Sequence, residues 1–124
     1  MIIAVDFDGT LCELCYPEIG APNMNLITML INQRNAGDKI ILWTCREEGL
    51  LEDAVTWCKK YGLEFDAVND NLEETKALYN HNSRKITADM YIDDKARFPI
   101  MPTYSHEKYE GNIERWISPI HVIE

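Results

Sequence analysis

The sequence predicts an α/β fold, a parallel β-sheet with helices on both faces, and three observations lead to it. Residues 2–6 (IIAVD) and 39–43 (KIILW) are short, continuous apolar runs rich in β-branched side chains, the pattern of strands covered on both sides. Stretches with helical spacing alternate with such runs, and strand–helix–strand connections within one sheet give parallel pairs joined by right-handed crossovers. Acidic and hydroxyl side chains fall just after the strands, where open α/β sheets hold their ligands.

After the first strand, residues 24–36 carry Met24, Ile27, Leu30 and Ile31 at helical spacing, and Gly37 stands where a helix stops. The second strand leads to a helix with Leu51, Ala54, Val55 and Cys58 at i, i+3, i+4 and i+7, closed by Lys59, Lys60 and Gly62. Strand-like segments return at 64–68 (EFDAV) and 89–92 (DMYI). Between them, residues 69–85 are polar and asparagine-rich, with one or two helical turns around Glu73 to Tyr79. Beyond Asp94 the alternation gives way to Pro99, Pro102 and a helix expected over about residues 107–117, and no repeat or linker is visible. The result is a Rossmann-like sheet in a single domain spanning residues 1–124, a length that supports one modest core.

Composition restricts function. With 46% hydrophobic and 27% charged residues the chain reads as an ordinary soluble globular protein, and its apolar runs are far too short to span a bilayer. No membrane partner is expected. The N-terminus opens on strand-like sequence without the basic segment and cleavage site of a signal peptide, so a cytoplasmic location is expected. The formal charge of -9 disfavours a nonspecific grip on nucleic acid, while leaving room for one phosphate held through a metal and a few local cations. Nothing in the sequence indicates an oligomer.

Four cysteines raise the question of metal or disulfide. Cys12 and Cys15 have C-x-x-C spacing, but Cys45 and Cys58 form no second pair and no histidine stands at ligand spacing beside them. The pair therefore reads as reduced thiols in a loop, and Cys58 as part of a helix's apolar stripe. His81, His106 and His121 fit no motif and read as surface residues.

The strand ends carry the chemistry. Asp6 and Asp8 follow the first strand, Thr44 the second, Asp93 and Asp94 the fourth, and Lys85 lies in the loop entering the fourth. Four carboxylates gathered at one edge would repel unless a cation or shared protons held them, which argues for a divalent metal. Singly, each residue has a plainer reading: an Asp-Gly-Thr turn, a threonine helix cap, a solvated Asp-Asp-Lys loop. Their joint placement favours function.

"DFDGTL" (6–11), "LWTCR" (42–46), "SRK" (83–85) and "YIDD" (91–94) resemble, in order and spacing, the four motifs of the haloacid dehalogenase-like (HAD) hydrolases, over residues 2 to about 95. The resemblance implies a Mg²⁺-dependent phosphomonoesterase. Asp6 would be the nucleophile that forms an aspartyl-phosphate, and Asp8 the general acid and base, holding a proton near neutral pH. Thr44 would donate to a phosphoryl oxygen, helped by backbone N–H groups after it (Cys45, Arg46) at the start of the second helix, and Lys85 would neutralise nucleophile and phosphate. Asp6, the Asp8 carbonyl and Asp93 or Asp94 would hold Mg²⁺, with Asp94 favoured as direct ligand. Arg46 either reaches the substrate or pairs with Glu47 or Glu48 on the helix's first turn.

A receiver domain uses similar residues but in a different order, and dehalogenases lack the second aspartate of the first motif. A non-catalytic HAD-like phosphate-binding module and a phosphotransferase remain as alternatives. Neither gap between motifs has length for the inserted cap domain of many relatives, so the resemblance is to a minimal, capless phosphatase with an open site suited to a large or macromolecular phosphate. "IDDK" (92–95) is also similar to the deoxyribonucleotidases, which adds a nucleotide or a polynucleotide end to the candidate substrates.

Overall fold

The computed structural model describes residues 1–97, and within them the expected α/β architecture is a four-stranded, wholly parallel sheet of order β3-β2-β1-β4. The strands are β1 (Ile2–Val5), β2 (Lys39–Leu42), β3 (Ala67–Val68) and β4 (Met90–Ile92), connected through helices α1 (Met24–Asn35), α2 (Glu48–Lys60) and α3 (Glu73–Tyr79). The helix expected near residues 107–117, His106 and His121 lie outside the described residues.

Strand order decides which face each connection covers. β1 to β2 to β3 steps one way across the sheet, so right-handed crossovers place α1 and α2 on one face, and the return from β3 to β4 places its connection on the other. The two cores agree. Ile3, Val5, Ile40 and Leu42 pack with Ile27 and Leu30 of α1 and Ala54 and Cys58 of α2, all fully buried. On the opposite face Ala4 and Ile41 meet Leu72, which precedes α3, and Ile86. Each fully buried Ile or Leu stabilises the fold by about 1.5–3 kcal/mol relative to exposure.

Where the strands end matters most for function. Val5 is level with Leu42 and Ile92, and Leu42 with Val68, so Asp6, Trp43, Asn69 and Asp93 leave the sheet along one carboxyl edge. Backbone bonds hold this edge together: Asp6 N–H donates to Ile92 O at 2.9 Å, Trp43 N–H to Val5 O at 2.9 Å and Asn69 N–H to Leu42 O at 2.8 Å.

The expected strand over 64–68 is confined to Ala67–Val68. Asp66 gives the reason: its carboxylate accepts the Ile40 N–H at 2.8 Å and the Arg34 guanidinium at 3.2 and 3.3 Å. A side chain thus takes the donor that a longer third strand would have used. No helix among the described residues is long and apolar enough to cross a membrane.

Candidate active site

The site is built on the loop between β1 and α1. Gly9 has φ +82, and a Cβ there would stand 2.5 Å from Asp94 Oδ2, so glycine is required both by the backbone and by the close approach of that carboxylate. Thr10, buried, links the two strand ends: its Oγ1 accepts the Asp94 N–H at 3.1 Å and donates to Asp6 Oδ2 at 3.2 Å. Asn23 ties the loop to the helix, donating to Thr10 O at 3.0 Å while its own oxygen caps α1 through the Leu26 N–H at 3.2 Å. The Asp-Gly-Thr sequence is therefore more than a turn. It sets the distance between β1 and β4 acids.

Those acids form one group. Asp6, Asp93 and Asp94 each offer a carboxylate oxygen within 4.8 Å of the others, and all three are half-buried. Burial, then the charge of Asp93, pushes the Asp6 carboxyl up to about 6; the Phe7 N–H and Thr10 hydroxyl pull it down without prevailing. Asp94 is also raised, first by burial and then by its neighbour Asp93. Its Oδ1 is buried and accepts no hydrogen bond. A buried carboxylate oxygen without a donor, beside two other carboxylates, fits a hard cation with oxygen ligands, and Mg²⁺ matches that donor set. Among the described residues no cysteine joins such a group, and Cys12, Cys15, Cys45 and Cys58 are all free thiols.

The side chain of Asp8 is turned away from this cluster. Its carboxylate is held by Arg46 in a bidentate pair, Nε to Oδ2 and a terminal nitrogen (NH2) to Oδ1, both at 2.8 Å. Arg46 is 1% exposed; it also donates to Glu18 O at 3.1 Å and Leu50 O at 3.5 Å, and its guanidinium lies 5.0 Å from the Phe7 ring centroid and 5.2 Å from that of Tyr16. Two expectations change. Arg46 pairs with neither Glu47 nor Glu48, and its donors go to Asp8, the β1–α1 loop and α2 rather than outward to a substrate. Asp8, expected as general acid and base, has both carboxylate oxygens taken up by Arg46 rather than aimed at the acid cluster.

Thr44 is half-buried at the end of β2. Its N–H donates to Asn69 Oδ1 at 2.8 Å and its hydroxyl accepts the Arg46 N–H at 3.1 Å, which leaves the hydroxyl proton for another acceptor. Asn69, from the polar stretch after β3, also donates to Arg46 O at 3.5 Å, and the sequence pattern did not single it out. The helix expected to open directly after Thr44 begins only at Glu48, so the intervening N–H groups are loop groups rather than a helix N-terminus.

A cavity of about 380 Å³ gathers most of these residues. Asp6, Asp8 and Asp93 line it with Thr44, Cys45 and Arg46, and Leu14, Tyr16 and Lys95 complete the lining. Lys85 does not line it: exposed, it holds its Nζ 5.6 Å from the Tyr91 ring centroid, and the lysine at the cavity is Lys95. Asp94 lies against Gly9 and is not part of the lining.

A solved structure of a conserved protein from Bacteroides thetaiotaomicron is similar to this chain, 42% identical, with 77% of each chain covered and a TM-score of 0.70. The chain belongs to the same family as that protein. No protein-family model and no curated protein matches it. The family relationship carries the fold.

Proposed function

We propose that the protein is a Mg²⁺-dependent phosphomonoesterase of the haloacid dehalogenase-like type, working in the cytoplasm through an aspartyl-phosphate on Asp6. The observation that carries this reading is the acid group of Asp6, Asp93 and Asp94, each offering a carboxylate oxygen within 4.8 Å of the others, together with the buried Asp94 Oδ1 that accepts no hydrogen bond. Four free thiols suit a reducing compartment. Asp6, Asp93 and Asp94 would hold Mg²⁺, with the Asp8 carbonyl as a further ligand by resemblance; when bound, the ion neutralises phosphate charge and keeps Asp6 ionised.

Each remaining step belongs to the chain's own residues. An Asp6 oxygen attacks phosphorus, a new P–O bond forms and the ester oxygen departs. The Thr44 hydroxyl donates to a phosphoryl oxygen, and Lys95 brings positive charge to the cavity. In the second step the water oxygen bonds to phosphorus as the Asp6–phosphorus bond breaks, and its proton passes to Asp8 as one of the two Asp8–Arg46 hydrogen bonds opens. Protonating a poor leaving group would require the Asp8–Arg46 pair to open, so esters with stabilised leaving groups react most readily.

That same pair favours one other reading, a phosphate-binding module without turnover in which Asp8 is purely structural. One experiment decides. Hydrolysis of an aryl phosphate is expected with Mg²⁺ and is expected to disappear with EDTA and in Asp6→Asn. Phosphate binding without hydrolysis at any Mg²⁺ concentration supports the binding module, and activity that survives Asp6→Asn removes the covalent mechanism.

A further inference from the structure

The cavity beside the acid cluster has more room and more apolar surface than a phosphate needs. Its volume of about 380 Å³ falls within the range of small-ligand sites, about 300–1,000 Å³. Two large apolar side chains on the β1–α1 loop, Leu14 at 60% exposure and Tyr16 at 57%, stand in its lining instead of in the core. Isolated exposed apolar residues need no explanation, but two lining the same cavity as a row of carboxylates do.

Tyr16 is also held in place. The Arg46 guanidinium lies over its ring at 5.2 Å, and that guanidinium is buried and fixed by Asp8 and by the carbonyl of Glu18, two residues along the same loop. One side of the ring is backed by a rigid cation while more than half of the residue stays open to solvent. A ring mounted in this way is a platform for another flat ring, and pre-positioning it removes part of the ordering cost of binding.

Resting on the phosphatase reading, we infer that the substrates are small phosphomonoesters whose alcohol carries a planar apolar ring, with Tyr16 stacking on that ring and Leu14 covering its edge. Charge favours this class over a polyanion. One phosphate meets the metal, Thr44 and Lys95, whereas further phosphates would face a chain of net charge -9.

The test compares phenethylphosphonate with butylphosphonate, matched in charge and neither hydrolysable, by calorimetry on the full chain with Mg²⁺. The ring compound is expected to bind about tenfold more tightly. Tyr16→Phe keeps the preference, Tyr16→Ala abolishes it, and Leu14→Ala, at an exposed site that does not threaten folding, reduces it. Equal binding of the two compounds, or a preference that survives Tyr16→Ala, overturns the inference. The matching esters, phenethyl and butyl phosphate, are then assayed for turnover. Ring-selective binding without hydrolysis of either ester sustains the ring platform of Tyr16 and Leu14, with such compounds as ligands, and removes the phosphatase reading; hydrolysis of both at equal kcat/KM, with equal binding, does the reverse.

Discussion

The two edges of the sheet treat aspartate in opposite ways. At the amino edge Asp38, Asp66 and Asp89 each immediately precede a strand, and each is supplied with a donor: the Met1 amino group at 2.9 Å, the Ile40 N–H at 2.8 Å with Arg34 besides, and the Ile2 N–H at 2.7 Å. Burial alone would push Asp66 up, yet the Ile40 N–H and Arg34 outweigh it and hold the carboxyl below its ordinary value. At the carboxyl edge Asp6 and Asp94 are raised, and one Asp94 oxygen accepts nothing. A carboxylate the fold has satisfied holds strands together. One the fold buries beside its own kind and leaves short of donors has the chemistry that the proposed Mg²⁺ site requires.

Turnover is the largest expected break in that symmetry. Asp6→Asn should lower kcat/KM for an aryl phosphate by about 10³-fold or more, as removal of a nucleophile does. Asp66→Asn changes a carboxylate to an amide at the other edge and should leave kcat/KM within about threefold. Comparable losses in the two variants would mean that the edges do not differ in function.

Stability should show the next effect, at Arg46. Arg46→Met leaves Asp8 without its two 2.8 Å donors; since the Asp8 side chain is 16% exposed, the cost should lie near the low end of the range for broken buried pairs, about 3 kcal/mol. Adding Asp8→Leu should recover part of that loss, because it removes the stranded charge. Urea denaturation of the two single variants and the double variant measures the coupling, and strict additivity would mean that Asp8 and Arg46 are not a unit. Asp66→Ala should cost less, about 1–3 kcal/mol, from the stranded Ile40 N–H and the loss of Arg34's partner, with Mg²⁺ affinity unchanged.

Local patterns made most of the fold legible. β1 and β2 are continuous β-branched runs, and α1 and α2 carry an uninterrupted apolar stripe, so four to thirteen neighbouring residues suffice to define each. What the pattern misses depends on partners far along the chain. β3 shrinks because Asp66 bonds to Ile40, 26 residues away. Asp8 is coupled to Arg46 across 38 residues and Thr44 to Asn69 across 25, and neither pairing leaves a periodic signal. Acid positions at strand ends were readable because register places them together; Lys85 was not, because a long side chain in a loop is aimed by local contacts such as the Tyr91 ring.

The smallest effect concerns the cost of keeping the carboxyl edge ionised. Asp6 lies at about 6 in the folded chain against an ordinary 3.8, so the folded state binds its proton more readily than the unfolded state does. A raised carboxyl contributes stability that is fully present below the unfolded value near 4 and is lost as pH rises through about 6. At pH 7.5 without metal, ionised Asp6 therefore costs the fold free energy, about 1–2 kcal/mol once the full conversion of roughly 1.36 kcal/mol per pKa unit is discounted for screening at a half-buried site. Asp6→Asn removes the charge and should raise the stability of the metal-free protein by that amount at pH 7.5, with the gain vanishing near pH 4. Asp66, whose carboxyl is lowered, should give the opposite sign: its stabilisation is present at neutral pH and lost as pH falls below its unfolded value. Mg²⁺ should reverse the Asp6 result, because the ion stabilises the wild type in proportion to its binding and the amide variant offers it one charge fewer. Thermal unfolding of wild type, Asp6→Asn and Asp66→Asn from about pH 2 to 8, with EDTA and with excess Mg²⁺, reads all three effects. A wild type more stable than Asp6→Asn at pH 7.5 in EDTA would show that Asp6 is already satisfied by the fold, and the contrast between the two edges would fail at its central residue.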